Sequence, residues 1–197
     1  LDHHPDADGD GFGSSAEVMR TCNPPPGYLR VRGDCRDDDA SVHPGQEDPA
    51  GDGIDQDCGG TDGPQPHVGL SSSSVDALQL ALDQATDGVT VWVGPGTWLE
   101  RNLTFSGRAV KLMATHPADV TVIDAGRQGR VFRFDGGEDL TTVLDGFTVT
   151  GGWVQDEDGG AIAVYDSSPT IRGCIITGNR ASGYDRAGGG IYLNGSS

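Results

Sequence analysis

The chain has 197 residues, 30 of them acidic and 13 basic, giving a formal net charge of −17. That balance excludes a binder of phosphate backbones, which needs clustered Lys and Arg, so nucleic acid is not an expected partner. No apolar run approaches the roughly 18 residues that span a bilayer, and Leu1-Asp2-His3-His4 lacks the character of a signal peptide, so the sequence reads as a mature protein or an excised fragment with no membrane span.

The charge is unevenly spread. Residues 1–66 hold 15 acidic and 4 basic side chains, residues 67–197 hold 15 and 9. The first third also contains Cys22, Cys35 and Cys58 and almost no alternating apolar segment, so burial of apolar surface alone does not fold it. Gly63-Pro64-Gln65-Pro66 and the run Ser71 to Ser74 have linker composition. The expected organisation is an acidic, disulfide-containing module over residues 1–66, a linker over 67–74 and a second unit over 75–197.

Within the module, Asp6-Ala7-Asp8-Gly9-Asp10-Gly11, five further residues and Glu17 match the twelve-position calcium loop. The pattern suits a hard cation that takes six to eight oxygens. Asp6, Asp8 and Asp10 converge, Gly11 permits the turn, Phe12 offers its carbonyl, and Glu17 closes the shell. Pro5 before the loop and Pro24-Pro25-Pro26 after it leave no room for long flanking helices, so the loop is expected on irregular structure. Two further acidic clusters, Asp34-Cys35-Arg36-Asp37-Asp38-Asp39 and Asp52-Gly53-Ile54-Asp55-Gln56-Asp57-Cys58, each surround a cysteine.

The order of these segments, with Cys22, Pro26-Gly27-Tyr28, His43-Pro44-Gly45 and Glu47 between them, resembles the metal-binding motif repeat of bacterial surface proteins over about residues 5–62. That family includes the methanotroph surface copper-binding protein and is similar in style to thrombospondin type 3 calcium repeats. The resemblance implies a secreted or bacterial cell-surface location and calcium ligands at Asp6, Asp8, Asp10, Asp34, Asp37, Asp39, Asp52, Asp55 and Asp57. Asp48 stands where members often carry a cysteine, and Arg36 where they often carry an acid. Three module cysteines allow three single bridges. Cys35 with Cys58 is preferred because it gathers two acidic clusters, and Cys22 with Cys35 is the alternative; either implies an oxidising compartment. The cysteine spacing lacks the paired C-x2-C of zinc sites. His3 and His4, with His43 or His67, keep copper as an alternative to calcium, although adjacent histidines read as surface residues.

Beyond the linker, Val75, Leu78, Leu82 and Ala85 recur at helical spacing and predict one short amphipathic helix over residues 75–86. Short strands follow at Val89 to Val93, Ala109 to Met113, Val120 to Ile123, Val131 to Phe134, Thr142 to Leu144, Phe147 to Thr150, Ile162 to Val164, Ile171, Cys174 to Thr177 and Ile191 to Leu193, bounded by Gly, Asp, Asn or Pro. Gly159-Gly160-Ala161-Ile162 returns as Gly188-Gly189-Gly190-Ile191, and Gly146 to Gly151 returns as Gly173 to Gly178. A period of about 27 to 29 residues with several strands fits one coil of a parallel β-helix. Cys174 then falls on Phe147, an inward position expected of a buried free thiol.

The series Val89 to Trp98, Ile123-Asp124, Leu144 to Gly152, Gly159 to Ile162 and Ser167 to Ile171 resembles bacterial right-handed β-helix proteins of the pectin lyase-like type. The resulting fold class is mainly β: a right-handed parallel β-helix with a short N-terminal capping helix, preceded by a small loop-rich calcium-binding module. The last repeat ends without a cap, which predicts a natural protein that continues.

The expected function is that of an extracellular or cell-surface calcium-binding protein whose coil acts as a structural or adhesive surface toward glycans, cell-envelope components or surface proteins. The alternative is a carbohydrate-active enzyme, a polysaccharide lyase or glycoside hydrolase using the coil's groove. Glycoside hydrolysis needs a carboxylate pair roughly 5–10 Å apart. Asp124, Asp145 and Asp166 are the candidates, although each ends a strand where Asp caps a turn. No motif selects a catalytic base for a lyase from Lys111, Arg101, Arg172 and Arg180, so no catalytic residue is assigned and the enzyme reading is the less favoured.

Overall fold

The computed structural model describes residues 1–49, 52–63, 77–183 and 188–195. The expected linker and the boundary at residue 66 lie outside these.

Short strands stack in register because apolar residues alternate with polar ones and glycine or Asp ends each run. The first turn of the coil comprises β6 (Thr90–Val93), β7 (Gly96–Leu99) and β8 (Leu103–Thr104), preceded in the chain by β1 (Asp2–Pro5), β2 (Gly13–Ser14), β3 (Met19–Arg20), β4 (Tyr28–Leu29) and β5 (Arg32–Asp34) of the acidic module. The second turn holds β9 (Lys111–Ala114), β10 (Thr121–Asp124) and β11 (Phe132–Phe134). The third has β12 (Val143–Asp145), β13 (Thr148–Thr150), β14 (Trp153–Gln155) and β15 (Ile162–Tyr165). The fourth has β16 (Thr170–Arg172), β17 (Ile175–Ile176), β18 (Arg180–Ser182) and β19 (Ile191–Asn194). Pairing is parallel throughout the coil, in the sheet orders β6-β9-β12-β16, β7-β10-β13-β17 and β8-β11-β15-β19, with β14 beside β18. This is a parallel β-solenoid of about four turns.

The repeat read from the sequence sets the register. Ile162 faces Ile191 and Val149 faces Ile176. Close stacking explains the repeated glycines: a Cβ at Gly160 would lie 2.5 Å from the carbonyl oxygen of Gly189 on the next turn. The period is not constant, since Val91 faces Leu112 and Leu112 faces Leu144. Corner loops of different length absorb the difference.

The core is a column of inward side chains. Leu112 and Leu144 sit on one wall, Trp98, Ile123 and Val149 on a second, Leu103, Phe132 and Ile162 on a third, all fully or almost fully buried. Phe105 stacks on Phe134 with ring centroids 5.1 Å apart. Cys174 packs partly buried against this core as a free thiol, and burial raises its pKa, which keeps it protonated and unreactive.

One helix, α1 (Ala77–Gln84), closes the first turn; the predicted residues 75 and 76 lie outside those described. Leu78, Ala81 and Leu82 plug the core from the end. The helix carries no acid in its own first turn. Buried Glu100 serves instead, accepting from the amides of Leu78 (2.6 Å) and Gln79 (3.2 Å). The Gln79 side chain then imitates a neighbouring strand, accepting from the Thr104 amide and donating to its carbonyl. That protects the exposed edge of β8. No described helix is long and apolar enough to cross a membrane.

The module builds more regular structure than a loop-rich reading anticipates. β1 is central in a small antiparallel sheet of order β3-β1-β4, and β2 pairs with β5. The surface reading of His3 and His4 is corrected: both are buried, and the segment from Gly13 to Glu17 packs on His4, whose Nδ1 donates to the carbonyls of Ser14 and Glu17.

Leu144 has neighbours on two turns and no exposed surface. Leu144→Ala is expected to lower coil stability by about 2–5 kcal/mol in urea unfolding, the range for a large-to-small change in a rigid core.

Candidate metal centre

Two positive-φ glycines, Gly9 (φ +81°) and Gly11 (φ +96°), let the Asp6 to Phe12 loop curl so that its acids point inward. Each aspartate spends one oxygen on the backbone. Asp6 accepts from the Gly9 amide (2.8 Å), Asp8 from Asp10 (3.2 Å) and Asp10 from Phe12 (2.7 Å). In the second segment Asp34 accepts from the Arg36 amide (2.7 Å), and Asp37 reaches across to the amide of Ala7 (2.9 Å). That last bond joins segments thirty residues apart.

The remaining oxygens carry the chemistry. Asp6, Asp8 and Asp10 each offer a carboxylate oxygen within 4.8 Å of the others, and so do Asp8, Asp34 and Asp37. Asp8 belongs to both groups, so two three-carboxylate groups meet at one shared aspartate. Among the described residues the Oδ2 atoms of Asp8, Asp10 and Asp34 are shielded from solvent and have no hydrogen-bond partner. Two carboxylate oxygens within 4.8 Å of each other repel by about 3 kcal/mol or more at an effective dielectric constant near 20. Burial above all, then the charges of Asp10, Asp8 and Asp37, push Asp34 up to about 6 against the opposing Arg36 amide. Asp10 is likewise raised, by burial first and then by Asp8 and Asp6, with the Phe12 amide and His43 opposing. An all-oxygen cage with three orphaned buried oxygens fits a hard divalent cation.

A second group forms from Asp48, Asp55 and Asp57. Here backbone amides satisfy most oxygens. Asp48 accepts from Gln56 and Gly63, Asp55 from Gly59 and Gly60, and Asp57 from Gly59. Burial, followed by the Asp57 charge, raises Asp55, opposed by the amides of Gly60 and Gly59. Asp48 was missed in the sequence because its position read as a lost cysteine.

Other predicted ligands stand elsewhere. Glu17 is exposed and outside both groups. Asp39 binds Ser41 through its amide and hydroxyl, which lowers its pKa. Asp52 is engaged by the Ile54 amide and by Gln56 Nε2. The Phe12 ring stacks on His43 at 4.9 Å, bracing the loop. Cys35 and Cys58 form the disulfide, and Cys22 is free and exposed. His43 directs Nδ1 toward the Pro44 carbonyl, and His67 lies outside the described residues.

The coil offers no comparable acid cluster among the described residues. Asp124 ends β10 and Asp145 ends β12, on two different sheets, and Asp166 follows β15, a strand of a third. Asp145 Oδ2 is held by Arg32 (3.0 Å) and Arg172 (3.1 Å). Arg130, almost fully buried, draws Glu157 of the acidic 156–158 run into an ion pair and donates to the Asp158 carbonyl.

The fold and this site define a small acidic module carrying a metal-binding motif, seated beside a parallel β-solenoid. In agreement, residues 34–63 match a family model, Cu-binding_MopE, described as "Putative metal-binding motif". The match takes in Asp34, Asp37, the disulfide and the Asp48 group, whereas the Asp6 to Asp10 loop lies outside it. No curated protein and no solved structure matches the chain.

A carboxyl raised in the folded state stabilises folding most below its unfolded value, and the benefit is lost as pH rises through about 6. In chelator at pH 7, Asp34→Asn should therefore be more stable than the wild type by up to about 3 kcal/mol. The difference should vanish below pH 4, as read by urea unfolding across that range.

Proposed function

We propose that this is a secreted or bacterial cell-surface protein that binds calcium through its amino-terminal module and presents the coil as a structural or adhesive surface. The observation that carries the reading is that Asp8, Asp10 and Asp34, drawn from two separate loops, each hold a solvent-shielded, unpartnered carboxylate oxygen within two acid groups that share Asp8. Asp6 and Asp37 complete the first ligand set, and Asp48, Asp55 and Asp57 form a second. When bound, the ion supplies positive charge; the chain supplies hard oxygens and a backbone that fixes one oxygen of each aspartate. The family label favours copper, but both carboxylate groups lack nitrogen and sulfur donors, the set that suits calcium.

For the coil, the reading is a right-handed β-helix of the pectin lyase-like type acting in binding rather than catalysis. It is supported by the separation of Asp124 and Asp145 onto two sheets, with Asp166 following a strand of a third. Outward aromatics offer contact surface for glycans or envelope proteins: Trp153 lies under Arg180 at 5.6 Å, and Tyr165 meets Arg133 at 5.5 Å and Tyr192 at 5.8 Å.

Calorimetric titration should give calcium binding with a dissociation constant of about 10⁻⁴ to 10⁻³ M or tighter, and calcium should raise the melting temperature of the module while a chelator lowers it. Copper heat without calcium heat, or melting indifferent to both calcium and chelator, would refute the assignment.

A further inference from the structure

We infer that the two carboxylate groups joined at Asp8 are the clasp of the joint between module and coil, so that cation binding decides whether the module stays seated on the first turn. The inference rests on the calcium reading above. Its ground is the short covalent path from Asp34 to both docking points.

Strand β5 carries Asp34 at one end and Arg32 at the other. Arg32 is the first docking arm. Its amide donates to the Thr115 carbonyl (2.8 Å), Nε to the Ala114 carbonyl (3.0 Å) and Nη1 to the buried carboxylate of Asp145 (3.0 Å). Between them Gly33, at φ +125°, packs beneath Pro44 and Trp92, where a Cβ would collide with the proline ring. Only glycine passes here.

The second arm begins on the other side of Asp34. Cys35 is bonded to Cys58, whose carbonyl accepts from Trp92 Nε1 (2.8 Å), and the next carbonyl, Gly59, accepts from the Thr90 amide (2.8 Å). Trp92 and Thr90 belong to β6, the edge strand of its sheet. The module thus covers that edge as Gln79 covers β8. Asp34 stands between the two arms, and Asp8, Asp10 and Asp37 face it. With no cation the like charges drive the Asp6 to Asp10 loop and the Asp34 to Asp37 segment apart, which displaces β5 and pulls on both arms. A divalent cation reverses that force.

The three indoles make the test residue-specific. Trp92 Nε1 donates across the joint, whereas Trp98 Nε1 donates to Gly94 inside the coil. Hydrogen exchange followed by NMR on the ¹⁵N-labelled chain should show the Trp92 indole and the Thr90 and Arg32 amides exchanging at least tenfold faster in chelator than in saturating calcium, with the Trp98 indole unchanged. Asp34→Asn, which removes the buried charge, should exchange slowly at Trp92 in chelator and ignore calcium. Asp37→Asn gives the same test at a half-buried position if the first variant does not fold. Calcium heat in calorimetry with Trp92 exchange unmoved would overturn the inference while leaving the calcium reading intact. Equal acceleration at Trp92 and Trp98, or fast Trp92 exchange in both variants in chelator, would also overturn it, whereas no calcium heat at all would bring down the reading beneath it.

Discussion

Like charges confined to a small volume must be neutralised or spread apart, and that constraint governs the acidic module. Asp6, Asp8, Asp10, Asp34 and Asp37 sit too close for water to screen them fully, and three of their oxygens are cut off from solvent. Backbone amides answer for one oxygen of each acid. The others need a positive charge. In the Asp48, Asp55 and Asp57 group the amides of Gln56, Gly59, Gly60 and Gly63 absorb much of the same strain. The two clusters therefore differ in how strongly they require a cation, although their composition is nearly alike.

The coil solves a different problem. A parallel stack is open at its first turn, where unpaired amides and carbonyls would invite another strand. Three elements close it. The helix α1 fills the end of the core, the Gln79 side-chain amide pairs with the edge of β8, and the Gly59 carbonyl pairs with the edge of β6. The third belongs to the acidic module, so the region that crowds its carboxylates also guards the solenoid edge. Asp145, which resembles a groove acid in sequence, instead anchors Arg32 from the module and Arg172 from the fourth turn.

The cysteine bridge gives this arrangement its economy of means. It closes a loop with a sequence separation of 23 residues and restricts the unfolded chain by about 3 kcal/mol on the chain-entropy account. It also ties the strand bearing Asp34 to the turn that meets Trp92. Removing a single acid or a single arginine therefore acts on a shared framework, and such neighbours are not expected to add independently.

The sequence by itself determined the periodic parts. Gly159 to Ile162 and Gly188 to Ile191 specify a stacked turn because only glycine lets successive backbones approach so closely, and Asp6, Asp8 and Asp10 read as a set of oxygen ligands by spacing, to which the resemblance to the motif family adds Asp34 and Asp37. It also narrowed the bridge to a few pairings. Strands β7, β8, β14 and β18, the burial of His3 and His4, the role of Asp48, the cap from Glu100 and the Arg32–Asp145 bolt were settled only by tertiary structure. The reason is physical. Local spacing fixes which groups of one segment face the same way, whereas partnership across 113 residues, as between Arg32 and Asp145, arises when two folded pieces are brought together and their unpaired charges meet.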